Sequence, residues 1–182
     1  MVPTLRTTLG LKGHRPIVGN RDCHDSVYVF GALNLVTGQL TTGIVERPQT
    51  AQQRTRSQHH YLQAGFAQHL RALARAYPAT TAPRVVVVID NAPWHKGALV
   101  QAALRECPHL ELYRLPSYSP HLQVIERLWK VLRRRATHKR LFLTVADLKR
   151  ALRNSLCYYQ TLRHRVLSLI QKPKKRTKLS TA

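Results

Sequence analysis

Apolar and polar positions change their period several times along the chain, and each change marks an element. In "SVYVFGALNLVTGQLTTGIVE", residues 26–46, β-branched and aromatic residues run to Thr37-Gly38 and resume after it, which predicts two strands joined by a tight turn. Residues 47–58 are polar and rich in Gln and Arg, a loop by composition. In "HHYLQAGFAQHLRALARAY", Tyr61 or Leu62, Phe66, Leu70, Leu73 and Tyr77 recur at spacings of three and four, the stripe of an amphipathic helix ended by Pro78. The run from Arg84 to Asp90 is apolar at every interior position and suits a central strand covered on both faces. "HKGALVQAALREC" then reads as a helix, "HLELYRL" as a strand, and "SPHLQVIERLWKVLRRRA" as a long helix with Ser119 as N-cap and Pro120 as first residue. Helical patterns follow at about residues 145–160 and 162–170.

Hairpin, helix, strand, helix, strand and further helices predict an α/β fold, a mixed sheet with helices on both faces. At 182 residues the chain is one domain's worth, expected over 1–170, with "QKPKKRTKLSTA" at 171–182 as a basic disordered tail. Charge changes the picture most. Thirty Lys and Arg stand against 8 Asp and Glu, a net charge of +22, with 17 of the 30 cations between Arg127 and Lys178. Such a surface wants a polyanion, and nucleic acid fits better than membrane, because Arg dominates and no helix sets large apolar residues opposite lysines. Cys23, Cys107 and Cys157 form no CxxC pair and read as reduced core thiols. With no signal-peptide pattern and no aliphatic run beyond Val85–Ile89, a cytoplasmic chain is expected.

The candidate chemistry lies in two acids. Asp90 ends the most apolar segment, where open α/β sheets present side chains to a crevice. Glu126, after 35 intervening residues, lies at the flank of the stripe formed by Leu122, Ile125, Trp129 and Leu132 and so points toward the protein body. Singly, Asp90 is explained as a cap of the next helix, and Glu126 as the ion-pair partner of Lys130 or Arg133. Together they can converge on a divalent cation as hard oxygen ligands.

"VVVVIDNAPWHK" followed by "LPSYSPHLQVIERLWKVLRR" resembles the second and third acidic motifs of DDE transposases, in particular the mariner-like group of bacterial insertion sequences. "GHRPIVGNRDCHDSVYVFGALNLVTGQL" is more weakly similar to the hairpin after the family's first acidic motif, so the resemblance covers roughly residues 10 to 140. It implies a ribonuclease H-like fold, Mg²⁺ or Mn²⁺ as cofactor in a two-metal site, and phosphodiester hydrolysis and strand transfer at transposon ends. By the same resemblance Asp90 and Glu126 match the second and third metal ligands, Asn91 the polar residue after the second, and His95 and Lys96 a basic helix start. Arg127, Lys130, Arg133, Arg134 and Arg135 flank Glu126, where they would draw a phosphate backbone to the metal.

The family's first acid lies on a strand before the hairpin, and this chain has no Asp or Glu before Asp22. Asp22 and Asp25 read as turn residues, so the expected fold is N-terminally truncated, its first strand missing. The chain then reads as the C-terminal portion of a transposase, one product of a split frame or a decayed copy, located with the bacterial nucleoid. Its partners would be DNA, a second copy, or a complementing N-terminal fragment. The alternative is a non-enzymatic basic DNA-binding remnant. Gln123 and Val124 replace the family's usual Asn-Pro before Ile-Glu. The ten histidines show no metal-ligand spacing and are expected at the surface or on phosphate. Trp129 is expected in the core, Tyr118 in packing, and Trp94 in the core or stacked on a base. No phosphate-binding Gly-rich loop is present.

Overall fold

A computed structural model describes residues 27–46, 58–116, 124–138 and 140–170. Asp22, Asp25, Cys23, most of the loop 47–58, Tyr118, the Ser119–Pro120 cap, Gln123 and the tail 171–182 lie outside the described residues.

Strands β1 (Val27–Leu33) and β2 (Leu40–Glu46) pair antiparallel, with Val29 opposite Ile44 and Leu33 opposite Leu40. The turn closes where the sequence placed it. The Asn34 side chain accepts from the N–H groups of Val36 and Thr37, and Gly38 takes a φ of 71°, a left-handed conformation that side chains resist. Side chains alternate across the pair, and both faces are used. Val27, Val29, Leu33, Leu40 and Ile44 join a core with helices α3 (Ile125–Ala136), α4 (Val145–Thr161) and α5 (Arg163–Ile170). Phe30 and Ala32 face the opposite way, into a second core built on α1 (Gln58–Ala76).

Helix α1 buries Leu62, Phe66, Leu70 and Leu73, the predicted stripe, with Leu62 rather than Tyr61 as its first member. Each such side chain contributes roughly 1.5–3 kcal/mol by leaving water. On the same core lie β3 (Val85–Ile89), α2 (Ala98–Glu106) and β4 (Leu110–Arg114). β3 and β4 run parallel, Val85 beside Leu110 and Ile89 beside Arg114, with α2 as the crossover.

Two sequence expectations change here. β3 is not covered on both faces: Val86 and Val88 are 51% and 55% exposed, as is Tyr113 of β4 at 60%, because α1 and α2 cover one side only. The described strands also form two two-stranded sheets, β1–β2 and β3–β4, with no hydrogen-bonded ladder between them. The cysteine expectation holds for Cys107, which is buried, and fails for Cys157, which is exposed on α4. No helix among the described residues is long and apolar enough to cross a membrane.

The histidine expectation fails most clearly at His69. It is 5% exposed, stacks on Phe30 at 6.2 Å, and neither ring nitrogen has a partner among the described residues. Burial pushes its pKa from 6.5 down to about 4. The unfolded chain therefore binds a proton that the folded chain refuses, and stability is full above 6.5 and lost as pH falls toward 4. At pH 5 the loss is about 2 kcal/mol. Urea unfolding at pH 7 and pH 5 should show this drop in the native chain and a much smaller one in His69→Leu; equal drops would show that His69 is protonated inside the fold.

The approach of α3 to β1 gives a second expectation. A Cβ added at Gly31 would lie 2.6 Å from Trp129 Cη2 and 2.8 Å from its Cζ2. Gly31→Ala should therefore displace α3 and cost roughly 1–3 kcal/mol, read as a lower urea midpoint with altered tryptophan emission, despite alanine's better strand propensity.

Candidate metal and phosphodiester site

Asp90 is the first residue past β3, and the chain there turns at once. Ala92 N–H donates to Asp90 Oδ1 at 3.0 Å, so the side chain closes its own turn instead of capping α2. Pro93–His95 form one turn of 3-10 helix, and α2 starts only at Ala98, after Gly97 at a φ of 110°. His95 and Lys96 are thus turn residues and not the basic start of a helix.

His95 also faces the wrong way for a surface phosphate contact. Its side chain is 13% exposed, its ring lies 4.2 Å from that of Phe66, and Nδ1 sits 3.0 Å from Asp90 Oδ1 and 3.3 Å from the Asp90 carbonyl. Burial first, and then Arg114 nearby, push its pKa below the ordinary value, although Asp90 pulls the other way. A neutral ring donating from Nδ1 satisfies both facts. It holds Oδ1 and leaves Oδ2 without a hydrogen bond from any described residue, on a side chain 49% exposed.

Asn91 has a definite task that its sequence position only hinted at. Its Nδ2 donates to the Leu115 carbonyl at 2.7 Å, and Leu115 N–H donates to the Ile89 carbonyl at 2.9 Å. The Asp90 turn is thereby tied to the exit of β4, the segment that leads on to α3. Gln63 of α1 donates to the Lys96 carbonyl and braces the other end of the turn. The Lys96 side chain is exposed with no ion pair among the described residues. Sequence reasoning missed Phe66, Gln63 and Arg114 here. Arg114 was recoverable, because a parallel partner of the strand ending at Asp90 must end beside it.

Glu126 lies in the first turn of α3, where the helix dipole favours a carboxylate, and it is only partly exposed. Ile125 and Trp129 on either side of it rest over Gly31 of β1. No ion pair to Lys130 or Arg133 forms. Lys130, Arg133 and Arg134 are exposed and without ion pairs among the described residues, whereas the Arg127 guanidinium donates to the Ile170 carbonyl at 3.0 Å and links α3 to the end of α5.

The acids as a set are unevenly treated. Glu46 pairs with Lys149, Glu106 with Arg71, Glu111 with Arg84 and Asp147 with Arg150. Of the described acids only Asp90 and Glu126 have no Lys or Arg partner among the described residues. Free carboxylate oxygens fit a hard divalent cation such as Mg²⁺ or Mn²⁺. Among the described residues there is no group of three His, Cys, Asp or Glu side chains that could hold a metal.

No curated protein sequence matches the chain. Solved structures do: the Mos1 mariner paired end complex with Mn (TM-score 0.59, 18% identity) and the Mos1 strand transfer complex (TM-score 0.57, 18% identity). A Mos1 transposase paired-end complex with left transposon end aligns at a TM-score of 0.52 and 14% identity. Each alignment covers 92% of this chain and 48–51% of the other, so the chain spans about half the length of these proteins. The likeness establishes the architecture, small sheets flanked by helices in the ribonuclease H-like fold of transposase catalytic domains. A sequence model of one family matches residues 2–149, and on that match this chain belongs to the DDE superfamily endonucleases.

Proposed function

We propose that the chain is the catalytic-domain portion of a mariner-like DNA transposase of bacterial insertion sequences, with Asp90 and Glu126 as two of its metal ligands. The observation that carries this reading is the pair of acids that have no Lys or Arg partner among the described residues of a strongly cationic chain. Both are also referred to β1, from its two opposite faces. The Asp90 turn is anchored through His95 and Phe66 to Phe30, and the Glu126 helix through Ile125 and Trp129 to Gly31.

A divalent cation held there would supply Lewis-acid activation of a water or 3′-hydroxyl and stabilise the leaving oxygen of a phosphodiester. The rest falls to the chain's own residues. His95 and Ala92 fix the Asp90 carboxylate by one oxygen, and Asn91 holds the turn against β4. Lys130, Arg133 and Arg134, exposed on α3, would draw a phosphate backbone toward Glu126. DNA as partner and Mn as metal are also what the related Mos1 complexes contain.

A third carboxylate completes the family's set, and the described residues do not provide one. Among the described residues β1 is paired only along its β2 side and β3 only along its β4 side, while both sheets pack on α1. That arrangement supports a strand between them carrying the first acid, supplied by a complementing fragment. That no three-acid group forms among the described residues equally supports the second reading, a DNA-binding remnant without catalysis.

Two measurements on the full chain separate the readings. Mn²⁺ binding followed by electron paramagnetic resonance should weaken about tenfold or more in Asp90→Ala and Glu126→Ala. Mg²⁺- or Mn²⁺-dependent nicking of transposon-end DNA, with the complementing fragment present, should fall at least about 100-fold in each. DNA binding that ignores metal, with no nicking and no effect of either substitution, would establish the remnant.

A further inference from the structure

The cationic residues of the last three helices are not all directed at the Glu126 face. Arg135 lies nine residues after Glu126 on α3, which places it half a turn around the helix and roughly 13 Å along it. There its guanidinium stacks over the ring of Tyr158, with Cζ 3.7 Å from the ring centroid. Arg165 of α5 approaches the same ring, 5.6 Å from the centroid, and donates to the Tyr158 hydroxyl. Three helices thus bring two guanidiniums to one tyrosine.

Two like charges collected on one ring repel each other, and nothing among the described residues neutralises them. The carboxylates on this side of the molecule are occupied elsewhere, Glu46 by Lys149 and Asp147 by Arg150. The ring compensates only in part, since a cation over an aromatic face near the surface gains about 0.5–1 kcal/mol. It does, however, orient the guanidiniums while both arginines stay exposed, which lowers the ordering cost of binding an anion with the N–H groups not given to Tyr158.

We propose that Arg135, Tyr158 and Arg165 form a phosphodiester-binding site for duplex DNA on the α3–α4–α5 cap, distinct from the face that presents Glu126. Because the two sites point to opposite sides of α3, a straight duplex lying at Glu126 does not reach Arg135. The cap site therefore takes a second DNA segment, or the same duplex after a bend. The inference rests on the chain being a DNA-handling domain, but it requires no metal and no cleavage.

The test is accordingly run in EDTA, so that its failure is separable from failure of the nuclease reading. Anisotropy of a fluorescein-labelled random-sequence 30-bp duplex is measured with the full chain across a salt series. Arg135→Gln/Arg165→Gln should weaken binding roughly tenfold and reduce the slope of log K against log salt by about 1–2 units, as loss of one or two phosphate contacts requires. Arg75→Gln/Arg105→Gln removes the same charge from exposed positions of α1 and α2 and should change affinity less than about twofold. Equal losses in both double variants would reduce the effect to bulk charge and overturn the site, as would no loss in the first. Competition by phosphatidylserine vesicles or single-stranded RNA that is stronger than by unlabelled duplex, and lost with Arg135 and Arg165, would reassign it to another partner. If the first variant does not fold, Arg165→Gln alone carries the same test with half the change in slope.

Discussion

The contact on which the arrangement turns is that of Phe66. Its ring meets Phe30 of the hairpin at 6.1 Å and His95 of the Asp90 turn at 4.2 Å, so one side chain of α1 joins both sheets and the candidate site. Loss of a buried phenylalanine of this kind typically costs about 3–5 kcal/mol. The consequence for chemistry is larger than the consequence for stability. Burial against Phe66 keeps His95 from protonating readily, and a neutral His95 hydrogen-bonded to Asp90 spends one carboxylate oxygen and leaves the other. A salt-bridged arginine in the same place would engage both oxygens and leave nothing for a metal.

Electrostatics makes the same selection from the other direction. With so large an excess of cations, pairing is the default for any acid, and four of the described acids follow it. These exposed pairs contribute little to stability. What they do is leave the remaining positive charge distributed by position: on α3 beside Glu126, and on the Tyr158 ring on the opposite side of that helix.

Much of this was legible in the sequence, because it depended on local period. The hairpin follows from alternation and the Thr37-Gly38 turn, α1 from its three-and-four spacing, and α4 from the helical pattern at about residues 145–160. What misled was information carried by tertiary partners. A run of valines reads as buried on both faces, yet whether Val86 and Val88 are covered depends on what packs there. His95 reads as basic and exposed because its neighbour is Lys96; its burial is decided by Phe66, some thirty residues earlier. Gly97 was the available signal that the helix begins later, since a residue at a φ of 110° ends the turn before α2 can start. Asp90 and Glu126 stand out in the sequence because an acid beside an apolar run or stripe is costly enough to need a reason.

The two small sheets make one structural argument that local reading could not. A two-stranded parallel pair has little stability of its own, and here β3–β4 persists by resting on α1 and α2. The antiparallel hairpin is better placed, buried between α1 on one face and α3–α5 on the other. Because α1 carries both, β1–β2 and β3–β4 share one support, and the bridge that Phe66 makes between Phe30 and His95 ties the Asp90 turn to the hairpin on which α3 also rests.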